Sequence, residues 1–322
     1  LAERIVVSRS PQFTPRRLLG ATQFVATQIG CGDLADRAVP FEQCVATVCR
    51  ALDAGINVVD TAPLYENGYS EEIVGEAVTR WTAEGGEGSR QKLFVIDKVD
   101  LHDKPVAPQI DASLKRLKLE YTDAFVLHDL STMDGWRRAT APGGAMDQLD
   151  DAVRAGKTRF RGISSHHPDV LAAAILSGLV EIVMFPVGPF VHQRFLTDIL
   201  PLARKHRVGT LCFKTFGAGK LLGDTEGYQR PLANRPRGEL SSGGAQDAAP
   251  TLPRLTVEEC VHYTLTVDPD VTLLGMSFPN EQDAAFAAAQ SFAPLGEADM
   301  SDIRRRAAIA VQGKGKVWWN PA

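Results

Sequence analysis

GINVVDTAPLYENGYSEEIVG, residues 55–75, decides how the rest of the chain is read. It opens as an apolar strand carrying Ile56, Val58 and Val59, and the apolar run stops at Asp60. A loop with Pro63, Tyr65 and Gly68 follows. Ser70-Glu71-Glu72 then reads as a helix start, with Ser70 as N-cap and two acids at the positive helix end. An acid therefore closes a strand and a phenol sits on the loop after it. In parallel α/β proteins, active sites are built at that end of the strands.

The same strand-then-helix unit recurs outward from this stretch. Short β-branched runs predict strands over residues 28–32, 57–60, 94–98, 124–128, 160–164, 182–185, 210–213 and 272–275. Helical patterns lie between them, over 41–54, 70–81, 105–117, 145–155, 168–176, 196–206 and 256–267, followed by 280–290 and 301–311. Eight alternating units in 322 residues predict one α/β domain over 1–322, a closed (β/α)8 TIM barrel. A doubly wound open sheet is disfavoured, because no GxGxxG follows the first strand. Residues 12–25 read as an N-terminal β-hairpin plugging the barrel. Residues 223–253, rich in Gly, Pro, Arg and Ser, read as a long loop after strand seven.

Composition narrows the function classes. A formal net charge of −4 without a basic stripe argues against a nucleic-acid partner. The most apolar stretch, residues 171–190, is interrupted by Glu181, Pro186 and Pro189, so no membrane span is expected. Five cysteines form no CxxC and no Cys/His metal spacing, so no metal is expected and a reducing, cytoplasmic setting is.

Asp60, Lys98 and His128 each close a predicted strand, and Tyr65 lies five residues after Asp60. In a barrel the ends of strands two, three and four are neighbours, so four polar groups converge on one mouth. A phenol has an ordinary pKa of about 10 and is a poor acid at neutral pH. A neighbouring Lys98 ammonium favours the phenolate, and Asp60 keeps that lysine charged despite burial. His128 is placed to donate a hydrogen bond to a substrate carbonyl oxygen. Such a group suits proton transfer to the alkoxide formed when a hydride reaches a carbonyl carbon. Taken singly, each residue has a structural reading: a turn cap, a surface lysine, a core histidine. Their joint placement on consecutive strand ends carries the inference.

These residues also resemble a known family. GINVVDTAPLYENGYSEEIVGEA, then FVIDK, DAFVLH and RGISSHH, are similar in order and spacing to the aldo-keto reductases, over about residues 19–289. The resemblance implies a (β/α)8 barrel that binds NADP(H) in an extended pose without a Rossmann fold. It implies Tyr65 as proton donor or acceptor, Asp60 and Lys98 as the groups that tune it, and His128 as the carbonyl-positioning residue. The substrate class it implies is a small carbonyl compound or alcohol, in either direction.

The implied cofactor contacts depart from the family pattern. Ser164-Ser165 stands where Ser-Asn is usual, Met184 where Gln is usual, and Val187-Gly188 where Tyr-Asn tends to follow. Phe213 fits the place of the ring that stacks on nicotinamide. The run from Lys214 through Gly217 and Gly219 to Leu221 resembles a pyrophosphate-clasping turn. After strand eight, Gly275, Ser277 and Glu281 fall in the adenosine region, with Ala284-Ala285 where Glu-Asn is expected and no cation for a 2′-phosphate. Two outcomes stay open: NAD(H) or weakly held NADP(H), or NADP(H) gripped by Arg230, Arg235 or Arg237 of the long loop. Family habit favours NADP(H). Two other readings compete: a lyase using Lys98 as a Schiff base, and a nicotinamide-binding regulatory barrel with little turnover.

Overall fold

The computed structural model describes residues 11–32, 37, 39–223, 253–313, 317 and 319–320. Two short antiparallel strands, β1 (Arg17–Leu18) and β2 (Val25–Ala26), form the N-terminal hairpin. Eight strands follow: β3 (Ile29–Cys31), β4 (Val58–Asp60), β5 (Phe94–Val99), β6 (Thr122–Leu127), β7 (Thr158–Ser164), β8 (Ile182–Pro186), β9 (Gly209–Phe213) and β10 (Val271–Leu274). They are parallel and close into a barrel in which β10 pairs with β3. The fold expected from the sequence is thus the fold observed.

Alternation along each strand sorts its side chains into two layers. Val58, Phe94, Ile96, Ala124, Val126, Ile182, Met184, Leu211, Val271 and Leu273 fill the interior. The intervening residues, such as Val59, Val95, Phe125 and Leu127, pack outward against the helices. The hairpin closes the bottom of the interior with Leu19, Phe24 and Ala26, and the Phe24 ring lies 5.2 Å from that of Phe94.

The outer ring contains α1 (Phe41–Asp53), α2 (Tyr69–Gly85), α3 (Val106–Leu117), α4 (Met133–Ala139), α5 (Ala145–Arg154), α6 (Pro168–Ser177), α7 (Leu200–His206), α8 (Val257–Val267), α9 (Pro279–Gln290) and α10 (Glu297–Ala310). Helix α1 shows the logic: Cys44, Val45, Val48, Ala51 and Leu52 fall on one face and are buried. Gly75 lets α2 lie directly on the end of α3. A Cβ there would stand 2.2 Å from the Leu117 carbonyl oxygen.

The differences from the sequence reading have local causes. Helix α4 was not expected, because Gly135 interrupts it and the surrounding STMDGWRRATAPGG reads as loop. Thr132 caps it by accepting from the Gly135 N–H at 3.0 Å, and Trp136 buries it. The helix expected over 196–206 begins instead with a π turn, Phe195–Ile199. Ser70 is not an N-cap. Helix α2 starts at Tyr69 behind Gly68, whose φ of 83° only glycine adopts at no cost, and the Ser70 Oγ accepts from the Thr61 hydroxyl at 2.9 Å. Of the long loop expected over 223–253, residues 224–252 lie outside the described residues, as do Arg230, Arg235 and Arg237.

Candidate active site

Strand alternation aims three of the four expected residues into the barrel mouth. Asp60 lies two residues beyond interior Val58, Lys98 two beyond Ile96, and His128 two beyond Val126. Lys98 and Asp60 are 2% and 4% exposed, which is rare for charged groups unless they pair. They do pair: Lys98 Nζ donates to Asp60 Oδ1 at 2.6 Å and to the Thr61 carbonyl at 2.7 Å.

Tyr65 reaches the same pocket from the loop after β4. Lys98 Nζ stands 4.5 Å from its ring centroid, a cation over a π face. The loop is tightly wound, with Glu66 and Asn67 at φ of 50° and 52° ahead of Gly68. Arg37, from the segment after β3, holds that turn by donating from Nε to the Glu66 carbonyl at 3.0 Å. The His128 ring meets the Tyr65 ring edge-to-face, with centroids 5.6 Å apart. The four expected catalytic residues are therefore brought together.

Beyond these four, the structure shows groups that the sequence reading did not select. Asp100 Oδ1 lies 2.5 Å from His128 Nδ1. His102, on the same loop, packs against this pair, and burial lowers its pKa below the ordinary imidazole value. His166 follows β7, its Nδ1 2.9 Å from Asp129 Oδ1 and its ring 5.4 Å from Phe213. Burial lowers the His166 pKa, with Asp129 acting in the opposite direction. Burial also pushes Asp129 up, but hydrogen bonds from His166 and Ser131 outweigh it and leave that carboxyl below the usual range. Asp100 and His166 continue the inward phase of Lys98 and Ser164 by two residues. That is the one sequence signal that points to them.

The residues expected at the cofactor stand on β7 to β10 and on the segments that follow those strands. Ser164 Oγ accepts from the Asp129 N–H at 2.8 Å, which leaves its own hydrogen to donate. Ser165 is fully buried, and its Oγ accepts from the His167 N–H at 3.1 Å ahead of α6. Met184 is fully enclosed in the barrel interior. The half-buried Phe213 ends β9, with Lys214 Nζ 5.6 Å from its ring centroid. Lys214, Gly217, Ala218 and Gly219 all have positive φ. The N–H groups of Gly217 and Gly219 already close turns onto the Lys214 and Phe216 carbonyls. Leu221 is core, and Gly217 packs against it and Trp319. The buried Thr215 hydroxyl has no hydrogen-bond partner. On the β10 side Gly275 is exposed, and Glu281, buried at the start of α9, accepts from the Ser277 N–H at 2.6 Å. A half-buried ring, a donor hydroxyl, an orphaned hydroxyl and a lysine fit an aromatic, polyanionic ligand.

Val99 and Trp136, which follow predicted strand ends, belong to the layer between strands and helices and do not face the mouth. No helix among the described residues is long and apolar enough to cross a membrane.

Comparison with known proteins agrees with this architecture. The chain is 25% identical over 319 residues to L-galactose dehydrogenase of Arabidopsis thaliana, covering 94% of this chain and 96% of that protein. It is 28% identical over 197 residues to aldo-keto reductase YhdN of Bacillus subtilis, a match that spans 57% of this chain and about half (55%) of that relative. An aldo-keto reductase from Klebsiella pneumoniae, solved in complex with NADPH, superposes with a TM-score of 0.61 at 19% identity, covering 87% of this chain and 92% of that one. That likeness shows the shared fold. The sequence pattern of the Aldo/keto reductase family matches residues 26–305, and the chain is therefore a member of the Aldo/keto reductase family of oxidoreductases.

Proposed function

We propose that this protein moves a hydride between a nicotinamide cofactor, NADP(H) in preference to NAD(H), and a small carbonyl or alcohol substrate. The observation that carries the reading is the buried Lys98–Asp60 pair beneath the Tyr65 ring, with His128 across from it. NADP(H) is favoured because the Klebsiella relative holds NADPH in the same fold.

When bound, the cofactor supplies or accepts the hydride. The chain's own groups handle the proton and the charge. In reduction, Tyr65 gives its phenolic proton to the oxygen that becomes the alcohol, and in oxidation it takes that proton back. Negative charge left on the phenolic oxygen is stabilised by the Lys98 ammonium, which Asp60 and the Thr61 carbonyl fix in place. Phe213 would offer its face to the nicotinamide ring, and Ser164 a donor to its carboxamide. Thr215, Lys214 and Lys220 are the groups suited to the phosphates.

A Schiff-base lyase is less well supported. Its lysine must present a free electron pair, whereas Lys98 Nζ is committed to a carboxylate and a carbonyl. Titrating the protein with NADPH and with NADH, followed by tryptophan fluorescence, tests the cofactor assignment. Saturable quenching by NADPH is expected, and no response to either cofactor would refute it. Tyr65→Phe should abolish carbonyl reduction and leave NADPH affinity nearly unchanged. Full turnover by that variant would remove Tyr65 from the proton-transfer role.

A further inference from the structure

Trp319 is the largest fully buried side chain among the described residues. It follows α10 and reaches two segments at the catalytic end of the barrel. Its Nε1 donates to the Phe190 carbonyl at 3.1 Å, on the segment after β8. Its ring backs Gly217, on the turn after β9. A Cβ added at Gly217 would stand 3.3 Å from Trp319 Cζ2 and 2.9 Å from Leu221 Cγ. The segment after β8 closes on the same turn from another side. A Cβ at Gly188 would stand 2.7 Å from the Lys214 carbonyl oxygen, and the Val187 N–H donates to the Phe213 carbonyl at 2.8 Å.

The turn needs such backing because it is wound against the preference of its own residues. Lys214 and Ala218 have φ of 74° and 52°, and Gly217 and Gly219 have φ of 54° and 83°. Glycine adopts that region freely, whereas lysine and alanine do so at a cost. Residues held there persist only where the surrounding structure over-determines them. The Gly217 and Gly219 N–H groups bond within the turn, to the Lys214 and Phe216 carbonyls, and tie it to no second element. Trp319 supplies a contact from a distant part of the chain. Ala218 packs against the same buried cluster that contains Trp319.

We propose that Trp319 is a positioning residue for the cofactor, holding residues 214–221 in the conformation that presents Lys214 and the Thr215 hydroxyl to the phosphates. That role rests on the hydride-transfer reading above and deepens it by giving the phosphate turn its support. Trp319 is fully enclosed, so it acts through the turn and not by touching the ligand. Its contribution is preorganisation: a turn that is competent only part of the time weakens binding in proportion to that fraction. A tryptophan that merely filled space would instead lower the stability of the barrel as a whole.

Hydrogen–deuterium exchange of the full-length protein without cofactor, read by mass spectrometry, tests the support. In Trp319→Leu the amides of residues 214–222 should exchange about tenfold faster, while those of β5 and β6, across the barrel from β9, keep their wild-type rates. Titration with NADPH, followed by the coenzyme's own fluorescence, is the second arm. In Trp319→Leu the NADPH Kd should rise by about tenfold, with kcat at saturating NADPH unchanged. Trp319→Phe leaves a smaller ring and no donor for the Phe190 carbonyl. It should move both readouts the same way by less, and it decides the matter if Trp319→Leu does not fold. Unchanged exchange over residues 214–222, or a loss of protection shared equally by β5 and β6, would overturn the proposal. So would a fall in kcat with NADPH affinity intact. Wild-type protein that binds no NADPH would end the hydride-transfer reading and the cofactor role together, whereas the exchange arm alone can fail with that reading intact.

Discussion

Replacing Lys98 by methionine should leave the buried Asp60 carboxylate without its ammonium partner. Methionine fills nearly the volume of the lysine stem, so the packing cost is small. What is lost is an ion pair whose members are 2% and 4% exposed, together with the 2.7 Å hydrogen bond to the Thr61 carbonyl. Removing one partner of a buried pair costs about 3–5 kcal/mol, because the remaining charge keeps its desolvation penalty without its attraction. Asp60→Asn should cost less, about 1–3 kcal/mol, since the Lys98 ammonium keeps its bond to Thr61. The double variant Lys98→Met/Asp60→Asn removes both charges and should be more stable than Lys98→Met alone. The expected coupling is about 2–3 kcal/mol, in the upper range for residues in contact. Urea unfolding of all four proteins measures this through the midpoint, provided the slope is unchanged. Activity separates stability from chemistry: the double variant should regain stability and no reductase activity. A Lys98→Met cost below about 1 kcal/mol, or strict additivity, would mean that the pair behaves as a surface contact and would refute the argument.

Two further predictions concern the shell around the site. Asp97 is fully buried, and burial together with the charge of Glu71 raises its carboxyl well above the ordinary range. A carboxyl raised in the fold binds its proton more tightly folded than unfolded. Its contribution is therefore complete below the unfolded value and is lost as pH rises through the folded one. Asp97→Asn should accordingly raise the melting temperature at neutral to alkaline pH, by about 2–4 °C per kcal/mol, with the gain vanishing toward acid pH; a pH-independent change would contradict this. Gly75→Ala sets a helix-propensity gain of about 1 kcal/mol against a Cβ placed 2.2 Å from the Leu117 carbonyl oxygen. The steric term should win by about 1–3 kcal/mol in urea unfolding, and a stabilised variant would show that α2 and α3 can separate freely.

Much of the fold was legible because a strand's alternation is a local property. Val58 and Asp60, Ile96 and Lys98, and Val126 and His128 share a phase, so inward-facing polar ends could be read without coordinates. What depends on non-local packing was not legible. Asp100 lies just beyond the end of β5, so the strand's alternation hints at an inward side chain, but its meeting with His128 is set by the path of the loop. Glu71 reads as an acid favoured by the positive end of a helix. In the fold it is fully buried and clasped by Arg116, with Nε donating to Oε2 at 2.5 Å and Nη2 to Oε1 at 3.0 Å. The Asp97-Lys98 dipeptide shows most plainly where local reading stops. Written side by side, these opposite charges suggest a pair. On a strand they point to opposite faces, so each must find a partner across the fold. Lys98 turns inward to Asp60 on the next strand, whereas Asp97 turns outward to Glu71, a like charge that Arg116 already holds. Adjacent residues thus enter environments of opposite electrostatic sign. Removing the charge of one should destabilise the protein, and removing the charge of the other should stabilise it.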